Sequence, residues 1–115
     1  MVRGEIHWVE FGQAQSGEPP RRRPAVIVSN DGANTTAARL GRGVITVVPV
    51  TSNVNRVYPF QVLLPAEASG LDRDSKAQAE QVRSVSVERL QELLGSVPAS
   101  LMLELDEALR VHLAL

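Results

Sequence analysis

The chain has 115 residues, a formal net charge of −1, 43% apolar and 22% charged side chains, and no cysteine. That is enough for one domain, spanning 1–115, with a modest core, near the size at which a partner often completes the burial. A disulfide framework and thiolate metal sites are excluded. No apolar run approaches a membrane span and Met1-Val2-Arg3-Gly4-Glu5 has no secretory apolar stretch, so the expectation is a cytoplasmic protein without membrane contact.

In chain order, Glu5–Phe11 mixes charged residues with aromatic and β-branched ones and is predicted to be a strand. Residues 12–20, with Gly and Pro punctuation, are predicted to be a loop. That loop leads into Arg21-Arg22-Arg23-Pro24 and then Ala25–Asn30, an apolar run bounded by Pro and by Asn30-Asp31-Gly32, read as a buried strand. Asp31–Leu40 suits a short helix. Gly43–Thr51 is strongly β in character, with Pro49 placing it at an edge, a bulge or a strand end. Tyr58–Leu64 is a further strand, reached through Ser52–Arg56. Glu67–Asp74 reads as loop and Lys76–Val85 as a strand. Ser86 is placed as the N-cap of a short helix carrying Leu90, Leu93 and Leu94 on its apolar face, with Gly95 as its stop. Pro98 opens a final amphipathic helix with Leu101, Met102, Leu105, Ala108, Leu109 and Leu113 at helical spacing. Strands first and helices last indicate α+β, or a small barrel with a helix packed on it.

Charge is unevenly distributed. Residues 1–56 carry seven Arg against four acids, and residues 57–115 five bases against nine acids. Such asymmetry permits a basic face on a nearly neutral protein. His7 and His112 lack a carboxylate or histidine at ligand spacing, and Asp72-Arg73-Asp74 reads as a solvated turn, so no metal or other cofactor is expected. No glycine-rich phosphate cradle and no nucleophile elbow is present. What remains is arginine, threonine and carboxylate, gathered at strand ends in Glu18–Pro24, Pro49–Asn53 and Glu80–Ser84. Taken singly, the arginine run is a solvated basic patch and Thr51 a turn-capping hydroxyl.

Taken together, Arg23-Pro24-Ala25-Val26-Ile27-Val28-Ser29-Asn30-Asp31, Val47-Val48-Pro49-Val50-Thr51-Ser52, Tyr58–Leu64 and Ala79-Glu80-Gln81-Val82-Arg83-Ser84 resemble the MazF/PemK toxins of bacterial toxin–antitoxin pairs. The opening Gly4–Val9 and the closing Leu105–Leu109 helix are similar as well, so the resemblance covers essentially the whole chain. It implies a small SH3-like β-barrel with a short helix and a C-terminal helix packed on it. It also implies a homodimer, a metal-independent endoribonuclease cutting single-stranded RNA at short sequences, and a cognate MazE-like antitoxin. Carried over by motif, the functional arginine is Arg23, the threonine Thr51, the upstream acid Glu18 and the later acid Glu80. Pro19-Pro20-Arg21-Arg22 departs from the pattern and makes the loop stiffer and more basic.

RNA supplies its own nucleophile, the 2′-hydroxyl beside the scissile phosphate. Arg23 can grip two phosphate oxygens at once, and Thr51 can donate its hydroxyl to the same group. Arginine is effectively always protonated, so Arg23 is assigned to charge stabilisation and leaving-group protonation, and Glu18 to the base. Arg21 and Arg22 are expected to hold the backbone, with Ser52, Asn53, Gln78, Glu80 and Gln81 lining the RNA path. Trp8 and Phe60 are expected in the core, not as stacking platforms. Two other readings are a gyrase-poisoning toxin similar to CcdB and a plain RNA-binding barrel. The first relies in its relatives on a tryptophan near the C-terminus, whereas Trp8 is the only one here and the chain ends Leu113-Ala114-Leu115.

Overall fold

The β-branched runs pair into one antiparallel sheet in the computed structural model, which describes residues 1–12 and 21–115. The strands are β1 (Glu5–Glu10), β2 (Arg22–Ile27), β3 (Val44–Thr51), β4 (Gln61–Leu64), β5 (Ser75–Gln78), β6 (Arg83–Ser86) and β7 (Leu90–Ser96). Their order across the sheet is β4-β5-β3-β2-β1-β7, with β6 also paired to β3. β3 is the axis of the arrangement. One edge runs along β2, with Ala25 opposite Pro49 and Ile27 opposite Val47. The other is shared: β6 covers Val44–Val47, and β5 takes over at Val50 and Thr51. Pro49 falls in the gap between them, where its missing N–H leaves no ladder partner unserved.

Alternation along the strands buries one apolar set on each face. Ile6, Val26, Val48, Val50, Val62 and Leu64 meet Leu105 and Ala108 of the C-terminal helix α3 (Ala99–Leu113). Val9, Ala25, Ile27, Ile45, Val47 and Val85 pack on the other face, with Ala37 of α1 (Asp31–Leu40). Asn30 caps α1, its Oδ1 accepting from Ala33 N at 2.8 Å. Arg3 clamps α3 to the sheet, donating from Nη2 to Asp106 Oδ1 at 2.6 Å and from Nε to the Val28 carbonyl at 2.8 Å.

The sheet curls without closing. Its far edges approach where Gly95 of β7 meets the backbone of Ser69 and Gly70, at the end of the one-turn helix α2 (Ala66–Ser69). No ladder joins β4 to β7 among the described residues. The α+β class with a packed C-terminal helix stands, and the barrel is an open one.

Four local expectations change. The segment predicted as a helix after Ser86 is a single 3-10 turn (Val87–Arg89) followed by β7. Ser86 does cap that turn, but pairing with β1 overrides the leucine spacing, and Gly95 is a strand residue at a close approach, not a helix stop. The strand predicted over Lys76–Val85 is broken by a 3-10 turn at Ala79–Gln81. The loop at Glu67–Asp74 begins inside α2. Tyr58–Phe60 form the turn leading into β4, with Gln61 N donating to the Tyr58 carbonyl at 2.8 Å.

Candidate active site

Arg23 projects from β2 on the same face as Ala25 and, through the Ala25–Pro49 register, on the same face as Thr51. Thr51 lies opposite Lys76 of β5, which places Lys76 and Gln78 on that face too; Gln78 in turn lies opposite Gln61. Val47 opposite Arg83 brings Arg83 to this side as well, where its guanidinium lies 5.2 Å from the centre of the Phe11 ring. Four strand ends thus deliver arginine, threonine, lysine and two glutamines to one polar patch beside an apolar half-face. Strands fix such side chains more tightly than loops do.

The guanidinium of Arg23 is half-buried. Its Nη2 donates to the Val50 carbonyl at 3.3 Å and to Gln78 Oε1 in a short hydrogen bond. Both bonds use one nitrogen, and Nε and Nη1 have no acceptor among the described residues. Burial lowers the Arg23 pKa from its ordinary value, and the charge of Glu80 works against that shift. Glu80 stands on the 3-10 turn that interrupts the β5–β6 run, with Oε2 accepting from Gln61 Nε2 at 2.7 Å. Its Oε1 is buried without a partner among the described residues. A carboxylate so placed is a counter-charge for the arginine at longer range, not a direct ion pair.

Thr51 ends β3 and its Oγ1 accepts from Asn53 N at 3.3 Å, and its hydroxyl proton has no acceptor among the described residues. Asn53 Oδ1 accepts from Asn55 N at 3.2 Å, building the turn that carries the chain over the patch. That turn presents Tyr58, stacked on Phe60 with ring centres 5.3 Å apart and planes 2° from parallel. Arg56 lies 5.3 Å and Lys76 Nζ 5.9 Å from the Tyr58 ring centre.

The structure therefore brings Arg23, Thr51, Gln78 and Glu80 together, with Ser52 and Asn53 exposed in the turn beside Thr51 and Gln81 exposed beyond Glu80. Arg21 is exposed at the mouth, its carbonyl accepting from Phe11 N at 2.8 Å. Arg22 does not join them. As Arg23's neighbour in an extended strand it faces the opposite side, 4.3 Å from the Trp8 ring centre, 3.3 Å from Gln91 Oε1 and 3.7 Å from Glu92 Oε2. Glu18 lies outside the described residues. Neither Trp8 nor Phe60 belongs to the buried core: one carries Arg22 and the other stacks on Tyr58. Lys76 and Gln61 were not singled out from the sequence; their signal was alternation with Ala77 and Val62, legible only once the strand ends were known. Among the described residues no group of three or more His, Asp or Glu side chains gathers to hold a metal ion.

Comparison with known proteins places this geometry in context. The profile of the PemK-like, MazF-like toxins of type II toxin–antitoxin systems matches residues 2–113. The chain is 60% identical to Endoribonuclease MazF9 of Mycobacterium tuberculosis (strain ATCC 25618 / H37Rv) over 115 residues, covering 100% of this chain and 98% of the relative. Among solved structures, MazE–MazF from Deinococcus radiodurans superposes with a TM-score of 0.76 at 30% identity, covering 100% of this chain and 97% of that one. An endoribonuclease in complex with its cognate antitoxin from a Mycobacterial species shares the fold, with a TM-score of 0.78 at 23% identity over 100% of this chain and 96% of that one.

Proposed function

The chain belongs to the PemK-like, MazF-like toxin family of type II toxin–antitoxin systems, and from that premise we propose that its endoribonuclease chemistry runs on the patch between Arg23 and Thr51. The protein is a growth-arresting toxin that cuts single-stranded RNA at short sequences. It works as a homodimer, is held in check by a MazE-like antitoxin and acts in the cytoplasm. Among the described residues no helix is long and apolar enough to cross a membrane.

The observation that carries the site assignment is the Arg23 guanidinium, anchored through Nη2 alone while Nε and Nη1 have no acceptor among the described residues. Nη1 therefore offers two N–H groups, and Nε one, to an incoming phosphate. Thr51 donates its hydroxyl to the same phosphate. The ribose 2′-oxygen forms the new bond to phosphorus while the bond to the 5′-oxygen breaks. Glu18 takes the 2′-hydroxyl proton, and Arg23 or a water it orients returns one to the 5′-oxygen. Burial makes Arg23 a better proton donor than a solvated arginine, and its charge answers the one that grows on the phosphorane.

The test is cleavage of a mixed-sequence RNA by purified protein in EDTA. Products ending in a 2′,3′-cyclic phosphate and a 5′-hydroxyl, with a loss of about 10²-fold or more in Arg23→Ala, are expected. A 5′-phosphate product would mean a water nucleophile. A wild-type rate in Arg23→Ala would remove the arginine from the mechanism.

A further inference from the structure

Lys76 has no role in the chemistry above, yet its position is unusual for a lysine. It is 8% exposed, in the middle of a strand, on the polar face beside Thr51 and Leu63. Lysine is almost never so buried unless paired. Among the described residues its ammonium has no carboxylate partner. Among those residues the one acceptor it meets is the Arg56 carbonyl, and Tyr58 lies alongside at 5.9 Å. Bracing the 52–60 turn takes one N–H, which a neutral amide would supply without the penalty of burying a charge. An ammonium with two protons unassigned, one register step from the hydroxyl of Thr51, is suited to an anion arriving from outside.

Resting on the reading of this patch as the RNA site, we propose that Lys76 binds a backbone phosphate of the substrate next to the one held by Arg23 and Thr51. The strand-to-strand step from β3 to β5 separates the two phosphate sites. Tyr58 then stands beside the nucleotide between them, in reach of a stacked base. Lys76 acts on binding, not on the bond-breaking step, because Arg23 and Thr51 already account for the scissile phosphate.

The experiment uses the shortest RNA that the wild-type protein cuts, made with a 2′-deoxyribose at the cut so that it binds without reacting. Its affinity is measured from low to physiological salt for wild type, Lys76→Gln and Lys76→Arg. Lys76→Gln keeps a donor for the Arg56 carbonyl and removes the charge; Lys76→Arg keeps the charge. The expected result is a salt slope lower by about 0.7 in Lys76→Gln, the signature of one lost contact to single-stranded phosphate. With cleavable RNA, KM rises by roughly tenfold, as for one lost charged hydrogen bond, and kcat holds. Lys76→Arg should restore both. An unchanged slope and KM in Lys76→Gln, with or without a shift in Tm, would overturn the proposal and leave Lys76 a brace. If wild type neither binds nor cuts RNA, the endoribonuclease reading fails first, and the two failures are told apart by the wild-type control.

Discussion

Gly95→Ala is a small change with a large expected effect. A Cβ built on Gly95 would lie 2.0 Å from the Ser69 carbonyl oxygen and 3.2 Å from its carbon. Carbon and oxygen tolerate approach to about 3.3 Å, so the β7 and α2 backbones would have to part by more than an ångström. The obstacle is main chain held from both sides. Ser69 Oγ donates to the Pro65 carbonyl at 2.9 Å, and Gly70, at φ 82°, closes the turn. Overpacking of this kind costs roughly 1–3 kcal/mol, against which the stiffer unfolded chain returns only about 0.4–1 kcal/mol. The net loss should lower Tm by several degrees, at about 4 °C per kcal/mol for a chain of this size. Thermal unfolding followed by far-UV circular dichroism at fixed protomer concentration measures it, with Gly12→Ala as the control, since none of the described residues lies within 4 Å of a Cβ there. The sign decides the matter. Were Gly95 an ordinary strand glycine with room around it, alanine would raise Tm, and an unchanged or raised Tm would refute the close approach of the two sheet edges.

Thr51→Val keeps the shape of the side chain and removes its hydroxyl, so kcat/KM on RNA should fall by roughly 10- to 100-fold, the range for a hydrogen bond to a charged group. Thr51→Ser should stay near wild type, and equal rates for the two variants would mean the hydroxyl touches nothing that reacts. Arg22 faces away from the patch, so Arg22→Ala should change RNA cleavage by less than about threefold at physiological salt, where charges beyond about 8 Å are screened. The same variant should shift the emission of Trp8, the only tryptophan; a large loss of cleavage with unchanged fluorescence would place Arg22 on the RNA. Glu5 accepts from His7 Nε2 at 3.0 Å and from Val2 N at 3.1 Å. The His7 hydrogen bond, foremost, holds its pKa below the ordinary carboxylate value, with burial opposing. A depressed folded-state pKa stabilises the protein above the unfolded value of about 4.3, and that stability is lost as pH falls through the folded value. Urea midpoints measured from pH 5 to pH 3 should therefore drop less steeply for Glu5→Gln than for wild type, and parallel curves would contradict the assignment.

The parts of the fold legible in the sequence were those where local chemistry and tertiary demand agree. The apolar run Ala25–Ile27 lies inside β2, though the strand starts at Arg22, ahead of Pro24, and ends at Ile27, ahead of Asn30; Asn30 caps α1 through its own side chain. The stretch Leu90–Gly95 shows the opposite case. Leu90, Leu93 and Leu94 have helical spacing, but Leu93 is 59% exposed in β7, and what settles the segment is the free edge of β1. No local signal reports an edge contributed by residues some eighty positions earlier. The site divides the same way. Arg23 and Thr51 were legible as residue types at strand ends, and the β2–β3 register unites them. Arg22 looked equivalent to Arg23 in a run of three, yet one residue of offset in an extended chain puts it on the other side. Lys76 escaped because a lysine in a polar-looking strand is by default a solvated one, and its burial depends on the 52–60 turn folding over it.

The interruption between β5 and β6 does more than accommodate Pro49. A continuous strand over Lys76–Val85 would alternate regularly, and Glu80 would stand in line with Lys76 and Gln78 on the polar face. The 3-10 turn at Ala79–Gln81 keeps Ala79 in the core with Ala77 but breaks the alternation and ties Glu80 to Gln61. The carboxylate is thereby close enough to oppose the desolvation of Arg23 but does not occupy its Nε and Nη1 groups. Had Glu80 paired directly with the guanidinium, an incoming phosphate would have to displace it. Had it been absent, burying the arginine would have little to offset it. Neutral Gln78 takes the close contact, and the charged group acts from a step further away, which leaves the arginine both anchored and available.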